Sequence, residues 1–222
     1  MARIIFSELD KVIKDPKAET RQASDSSICL SQFLSIISNM AEKGLSFTES
    51  DLALLTKSLQ QYLNRRTFTT CRETIQVGDI FNIDFGINYE PEMSFNHPGL
   101  VVELIGDLVL VIPSSTSPTK LANSYHPIKN PTGLWYYYRV DKADGFAEDC
   151  ALILGNVCTI SQGRLLEKKG HLTCDISDEN SLYRQLRKII FSNVFEYEYH
   201  KLTDKIEKLE QEKNNIIEQE KK

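Results

Sequence analysis

Five short apolar runs in the middle of the chain constrain the fold more than any other feature. They lie at residues 80–85, 100–105, 108–112, 135–140 and 150–160. Gly106-Asp107, between the second and third runs, is typical of a tight turn that joins two antiparallel strands. Short strands separated by Gly, Pro, Asn and Asp predict a small barrel or a strongly bent sheet, because closure removes the exposed edges of such strands.

Helical periodicity precedes the β-rich region. Apolar residues at three-to-four spacing predict a helix that Gly44 ends, and Thr48, three residues before Asp51, indicates the cap of the next helix. An earlier, short helix ends at Pro16. Two amphipathic helices joined by a short loop predict a helical hairpin, so we assign residues 1–64 to an N-terminal helical region.

The C-terminal part is helical again, with Asp178 as the predicted cap. From Phe195 onward the apolar residues follow heptads on a background of Glu and Lys, which is typical of a coiled coil. One seam position holds Phe195, Leu202, Leu209 and Ile216, and the other holds Tyr199, Ile206 and Lys213. The stripe predicts a coiled coil between chains, packing on the N-terminal hairpin, or a solvated tail. We therefore expect a β-rich domain at 65–195 and a coiled-coil helix at 196–222.

Composition places the chain among ordinary globular proteins. Of its 222 residues, 41% are apolar and 26% are charged, and no apolar run reaches the length of a membrane span. The start of the chain lacks the long apolar segment of a secretory signal. The five cysteines are scattered without a Cys-x-x-Cys pair, which is typical of reduced thiols. We therefore expect a cytoplasmic protein without a metal or another cofactor, and with no membrane association.

The charge of the chain is unfavourable for general nucleic-acid binding. The net charge is −5, and phosphate contacts normally need a surplus of Lys and Arg. Any binding of RNA must therefore rest on local groups of basic residues. Two such groups are Arg65, Arg66 and Arg72, and Lys120, Lys129, Arg139 and Lys142.

The loops around the first three strands hold a set of residues that is suited to cleaving RNA without a metal. The set comprises a carboxylate, an imidazole and three hydroxyls: Glu92, His97, Ser114, Ser115 and Thr116. The reaction needs a base for the 2′-hydroxyl, an acid for the leaving 5′-oxygen and donors for the phosphorus oxygens. A histidine can act as base, acid or cation near neutral pH, and a hydroxyl can donate to a developing oxyanion.

The same motifs, in this order and spacing, resemble the MazF/PemK ribonuclease toxins over about residues 75–195. The motifs are Gly78-Asp79-Ile80, Glu92, His97-Pro98-Gly99-Leu100-Val101-Val102, Val111-Ile112-Pro113-Ser114-Ser115 and Gly145-Phe146-Ala147-Glu148-Asp149-Cys150. The resemblance continues through Val157, Thr159 and Ile160 to Arg164-Leu165. It implies a small SH3-like barrel with a C-terminal helix, and a homodimer that an antitoxin protein inhibits.

The resemblance also implies roles for individual residues. The arginine that precedes proline in the family falls on His97, its strand-end Thr or Ser falls on Ser115, and its upstream glutamate falls on Glu92. The resemblance thus makes these three the catalytic residues, with His97 as acid or cationic stabiliser and Glu92 as base or as the group that orients His97. His97 replaces a permanently charged guanidinium, which departs from the family pattern.

A second set of residues is assigned to RNA binding. The set contains hydroxyls, cations and one aromatic ring: Ser114, Thr116, Arg72, Lys120, Tyr137 and Arg139. Strand alternation places Trp135, Tyr137 and Arg139 on one face, and bases can stack on such rings. Each site residue also has a structural interpretation: His97 as a solvated turn residue, the serines as a polar turn, Glu92 as a surface carboxylate and one aromatic set as core.

The sequence therefore favours a metal-independent endoribonuclease toxin that cuts single-stranded RNA and leaves a 2′,3′-cyclic phosphate, within a toxin–antitoxin or phage-defence system. The alternative is a catalytically inactive MazF-like barrel that acts as a protein-interaction module. The missing arginine and the acidic balance favour the alternative. Expected partners are single-stranded RNA, an antitoxin, and a second copy or another coiled-coil chain.

Overall fold

The computed structural model describes residues 3–220 and has an α+β fold with six helices and eight strands in this part. The helices are α1 Phe6–Ile13, α2 Ser27–Gly44, α3 Glu49–Arg65, α4 Pro118–Asn123, α5 Leu182–Val194 and α6 Glu196–Glu220. The strands are β1 Asp79–Asp84, β2 Asn96–Ile105, β3 Leu108–Ser115, β4 Ser124–Tyr125, β5 Leu134–Val140, β6 Cys150–Ile153, β7 Cys158–Ser161 and β8 Leu165–His171. The predicted segment 1–64 begins before the first described residue, and the predicted segment 196–222 ends after the last one.

The chain divides into two compact units, Met1–Lys57 and Ser58–Lys222. The division falls inside α3, seven residues before the end of the N-terminal region predicted from the sequence. The second unit includes helix α6. No helix among residues 3–220 combines the length and the apolar character needed to span a membrane.

The predicted end of α2 at Gly44 and the predicted start of α3 after Thr48 agree with the structure, whereas α1 ends at Ile13, before Pro16. Helix α2 ends at Gly44 and begins after Ser26, whose hydroxyl accepts a hydrogen bond from the Cys29 amide at 3.3 Å. At the start of α3, Thr48 Oγ1 accepts from the Asp51 amide and donates to the Asp51 carboxylate, at 3.1 and 2.7 Å. These caps satisfy amides that have no partner inside the helix.

The strands form one eight-stranded sheet whose main path runs β4–β5–β6–β3–β2–β1–β8, with β7 paired to the other end of β3. All pairs are antiparallel except β4 with β5. The predicted hairpin joins β2 and β3, and Gly106 in its turn has a φ of +58°. The run predicted as one strand at 150–160 is in fact β6 and β7, because a short 3-10 helix, Leu154–Asn156, interrupts it. Strand β8 was not predicted, since its charged residues hide the apolar alternation.

The expectation of a closed barrel is wrong at the level of strand pairing. Strands β7 and β8 are the outer strands of the arrangement β7–β3–β2–β1–β8, and the described residues form no ladder between them. Only the 3-10 helix Gln162–Arg164 connects the two strands. The sheet is bent rather than closed, and irregular registers in the β1–β8 and β2–β3 ladders accompany the bend.

Both faces of the sheet are apolar, because successive residues of a strand point to opposite faces and the central strands bury consecutive residues. Ile80, Leu100 and Ile112 pack on one face with Tyr183 and Leu186 of α5. The other face is a second cluster of buried residues, Phe81, Ile83, Phe85, Met93, Val101, Val109, Val111, Ile153, Ile160 and Leu165. The cluster contains side chains from both outer strands, so the bent sheet folds around it.

The C-terminal helices differ from prediction at two points. Helix α5 begins at Leu182 after Ser181, whose hydroxyl accepts from the Arg184 amide at 3.3 Å, rather than near Glu179 after Asp178. The predicted heptads run on from Phe195, but this residue has φ −119° and ψ 51° and separates α5 from α6. Rings of Phe195 and Tyr199 contact Phe191, with centroids 5.9 Å apart in both pairs.

Candidate active site

The beginning of β2 and the end of β3 bring His97 and the predicted hydroxyls together. The two strands are paired there, with Gly99 opposite Pro113. The Ser114 hydroxyl donates to the Pro98 carbonyl at 3.0 Å and so ties the two strand ends. His97, Ser114, Ser115 and Thr116 all line one cleft of about 390 Å³, which we call the β2–β3 cleft.

The opposite wall of the β2–β3 cleft was not assigned a role from the sequence. It is formed by Phe146, Ala147 and Glu148 from the loop before β6, by Cys150, and by Lys169 of β8. Phe146, Ala147, Glu148 and Cys150 belong to a motif on which the family resemblance depends. This motif was the sequence signal from which their place in the cleft could have been inferred. Lys169 had no such signal in the sequence, because β8 was not predicted.

Electrostatics make His97 a neutral imidazole near pH 7. Burial lowers the pKa of His97, and the nearby Lys120 ammonium of α4 lowers it further. A neutral imidazole can accept a proton from a hydroxyl, but it cannot supply a permanent positive charge. This environment favours a base, whereas the sequence resemblance implied an acid or a cationic stabiliser at His97.

Cations of the β2–β3 cleft come from lysines. Lys169 lines the cleft and pairs with Glu167 at 2.6 Å, with 41% of its side chain exposed. Lys120 acts electrostatically on His97 from the short helix that follows β3. Ammonium groups can stabilise negative charge on phosphate oxygens, although without the bidentate geometry of a guanidinium.

The hydroxyls of the cleft differ in their surroundings. Ser114 is 1% exposed and its proton is used by the Pro98 carbonyl, so Ser114 holds the strand ends together. Ser115 is 9% exposed, and its oxygen accepts from the Ser117 amide at 3.3 Å, which leaves the hydroxyl proton for another acceptor. The neighbouring Cys150 is a protonated thiol, because burial raises its pKa to about 12 despite a hydrogen bond with Ser114.

Glu92 lies in a different cleft. It lines a cavity of about 580 Å³ with Cys158 and Arg164, which does not include His97. The chain between β1 and β2 forms a loop held by the Met93 amide, which donates to the Asn156 side chain at 3.0 Å. This anchor directs the loop toward the segment between β6 and β7, so the described structure does not bring Glu92 and His97 together.

The remaining residues predicted to bind RNA lie at separate places. Arg72 is exposed before β1 and lines none of the clefts described above. Arg139 donates to Asp149 at 3.1 Å. Tyr137 is half-buried, packs against the cluster around Phe81, and has its ring 4.8 Å from that of Tyr136. A ring used in this way is less available for stacking on a base.

The other described histidines have structural contacts. His126 Nδ1 accepts from the amides of Ile128 and Lys129, at 3.1 and 2.9 Å. His171 Nδ1 lies 2.7 Å from the carboxylate of the buried Asp79. Exposed His200 lies on α6, 4.0 Å from Glu196. Residues 3–220 contain no group of three or more His, Cys, Asp or Glu that could hold a metal ion.

Comparisons with known proteins show a likeness to solved structures alone. No family model matches the chain, and no curated protein matches it. Among solved structures, the Mycobacterium tuberculosis toxin MazF-mt6 aligns with 53% of this chain and 96% of its own. The two are 16% identical with a TM-score of 0.35. A likeness of this extent does not establish membership of a family.

Proposed function

We propose that this chain is a metal-independent endoribonuclease of the MazF/PemK type that cuts single-stranded RNA. One observation carries the proposal: His97 and Ser115, to which the resemblance gives catalytic roles, line the same cleft as Ser114 and Thr116, which the sequence assigns to RNA binding. The proposal includes the family's context, which is a toxin–antitoxin or phage-defence system with an antitoxin protein as inhibitor.

The reaction begins with neutral His97, which takes the proton of a ribose 2′-hydroxyl. The 2′-oxygen then forms a bond to the adjacent phosphorus, and the bond from phosphorus to the 5′-oxygen breaks. Water protonates the leaving 5′-oxygen, and the imidazolium of His97 returns its proton to solvent. The products are a 2′,3′-cyclic phosphate and a free 5′-hydroxyl.

Negative charge on the phosphorus oxygens is stabilised by the Ser115 hydroxyl and by the ammonium groups of Lys120 and Lys169. The Ser115 oxygen is held in place by the Ser117 amide, so its proton can point to a phosphate oxygen. The lysines replace the positive charge that the family's arginine supplies. Glu92 has no part in this scheme, because it lies in the other cleft.

The first experiment is cleavage of a long mixed-sequence RNA in EDTA. We expect cuts that leave 2′,3′-cyclic phosphate ends, and we expect His97→Ala to reduce the rate by about 100-fold or more, as loss of a general base does. Ser115→Ala should reduce it too, whereas His200→Ala is the matched control on exposed α6 and should cut like the wild type. Intact RNA with folded protein free of a bound inhibitor would contradict the proposal.

The second candidate function is an inactive barrel-like module that binds other proteins. The observation that favours it is the exposed apolar stripe of α6, in which Leu202, Ile206 and Leu209 each have at least half of their surface accessible. For such a module, His97→Ala would leave function unchanged, and disruption of the α6 stripe would abolish it. The ribonuclease should therefore lose function with His97→Ala, and the binding module should lose function with disruption of the α6 stripe.

A further inference from the structure

The apolar stripe of α6 has no partner among the described residues. Leu202, Ile206, Leu209 and Ile216 are 50%, 55%, 53% and 57% exposed, and Ile217 beside them is 37% exposed. Aliphatic side chains at heptad spacing are normally buried against a second helix. The rings of Phe195 and Tyr199 both contact Phe191, so the fully free part of the stripe begins at Leu202.

We propose that α6 pairs with α6 of a second copy of this chain as an antiparallel two-stranded coiled coil. In the register that we infer, Ile206 faces the partner's Leu209, Tyr199 faces the partner's Ile216 and Leu202 faces the partner's Lys213. The two-fold axis passes midway between residues 207 and 208. Every seam residue from 199 to 216 then has a counterpart.

Lys213 decides the direction of pairing. It occupies a seam position, and a parallel dimer would place it against the same lysine of the other chain. Two ammonium groups in one core layer repel each other. In the antiparallel arrangement, the aliphatic stem of Lys213 covers the partner's Leu202 while its ammonium reaches solvent.

The charges beside the seam also fit antiparallel pairing. Lys205 and Glu212 occupy the same heptad position, because each lies directly before a residue of the seam that contains Tyr199, Ile206 and Lys213. Residues at this position meet across an antiparallel dimer. Lys205 faces the partner's Glu212, and symmetry creates the same pair twice. In a parallel dimer, Lys205 would instead face the partner's Glu210, and Glu212 would face the partner's Ile217. The partner of Glu212 therefore distinguishes the two directions.

This inference concerns assembly and does not depend on ribonuclease activity. The paired stretch from Tyr199 to Ile216 spans only six layers, so we expect a reversible dimer whose population depends on protein concentration. In a dimer of this kind, the sheets of the two copies lie at opposite ends of the paired helices.

The first test is sedimentation velocity of the full-length chain over a range of concentrations. We expect a monomer–dimer equilibrium for the wild type, and only monomer for Leu209→Glu, which places a charge in the seam. Gln211→Glu introduces the same charge on the outer face of α6 and is the matched control, expected to associate like the wild type. A wild-type chain that stays monomeric, or a dimer that Leu209→Glu leaves intact, would overturn the proposal.

The second test determines direction. Glu212→Lys should raise the dissociation constant of the dimer by about fivefold, as expected for two partly exposed ion pairs converted to repulsions. Lys205→Glu combined with Glu212→Lys should restore the wild-type value, because opposite charges again meet. Glu207→Lys, outside the seam, is the control for net charge. If the double variant associates more weakly than Glu212→Lys alone, the pairing is parallel and the inferred register is wrong.

Discussion

At the scale of single residues, the environment of His97 leads to a testable pH dependence. Its pKa is lowered by burial first and by Lys120 second, so the neutral base prevails above a pH that lies below the ordinary value of 6.5. We expect kcat/KM for RNA cleavage to rise with pH through this pKa and then level off. Lys120→Gln removes the second cause and should move the inflection toward higher pH.

The measurement is kcat/KM against pH with a short RNA, beside an NMR titration of the His97 ring, which reports the pKa independently of catalysis. Ser115→Ala serves as the control, since it should lower the rate without moving the inflection. A rate that falls as pH rises through the measured His97 pKa would assign the imidazole the role of acid instead.

The buried Asp79 carboxylate leads to a second prediction, which concerns stability. Asp79 is fully buried and binds Lys168 Nζ at 2.6 Å, His171 Nδ1 at 2.7 Å and the Gln76 amide at 2.8 Å. Burial alone raises the pKa of Asp79, but these hydrogen bonds outweigh burial and hold the pKa below its ordinary value. The contacts therefore stabilise the fold above the unfolded-state pKa near 3.9, and this stabilisation is lost as pH falls through the folded-state pKa.

We expect Asp79→Asn to lower the free energy of unfolding at pH 7 by about 2 kcal/mol, because charged hydrogen bonds to a buried group are lost. Below about pH 4, the free energy of unfolding of the variant should fall less steeply with pH than that of the wild type. Urea unfolding between pH 3 and 7 measures both effects. Glu167→Gln removes an exposed ion pair on the same strand and should change stability by less than about 0.5 kcal/mol. Equal losses in the two variants would contradict the role given to Asp79.

At the scale of elements, a glycine controls how the turn before β6 packs against the end of β8. Gly145 ends a short 3-10 helix with a φ of +103°, and a Cβ there would lie 2.0 Å from the His171 carbonyl oxygen. A left-handed conformation costs an alanine about 1–2 kcal/mol. Gly145→Ala should destabilise the protein by more than this, because the Cβ also clashes with the carbonyl oxygen.

The matched control for this prediction is Gly106→Ala. Gly106 also has a positive φ of +58°, but a Cβ there would meet no atom within 4 Å. The difference in free energy of unfolding between the two variants therefore reports the close backbone contact together with the less favourable φ of Gly145. Equal destabilisation would mean that the turn moves away from β8 without penalty.

At the scale of the whole molecule, the net charge of −5 limits how RNA can be bound. Lys120 and Lys169 are the cations that we place at the β2–β3 cleft, so few phosphates are neutralised. For a single strand, the slope of log Kobs against log salt is about −0.7 per phosphate contact, which predicts a slope between about −1 and −2. A 2′-O-methyl RNA, which lacks the attacking hydroxyl, allows this binding to be measured without cleavage.

Lys120→Gln should make this slope shallower by about 0.7. Lys129→Gln is the control, since Lys129 pairs with Asp141 outside the cleft at 2.8 Å. A wild-type slope steeper than about −4 would show that a larger basic surface than the β2–β3 cleft binds RNA.

The sequence alone determined those features that depend on short-range order along the chain. Caps such as Thr48 with Asp51, the Gly106 turn and the spacing of His97 from Ser115 are local, since each follows from residues within a few positions of one another or within paired strands. The α+β class and the apolar stripe of α6 follow from periodicity for the same reason. These features could be predicted and agree with the structure.

Tertiary structure decided what depends on residues distant in sequence. Glu92 lies apart from His97 because an amide–side-chain contact 63 residues away anchors its loop, and Lys169 reaches the cleft only through the pairing of β8 with β1. The open sheet likewise results from how β7 and β8 are held by β3 and β1. The neutral state of His97 arises from burial and from the charge on α4, and neither can be read from the residues next to it. Periodicity reports which faces are apolar, but the packing of distant segments determines which polar groups meet.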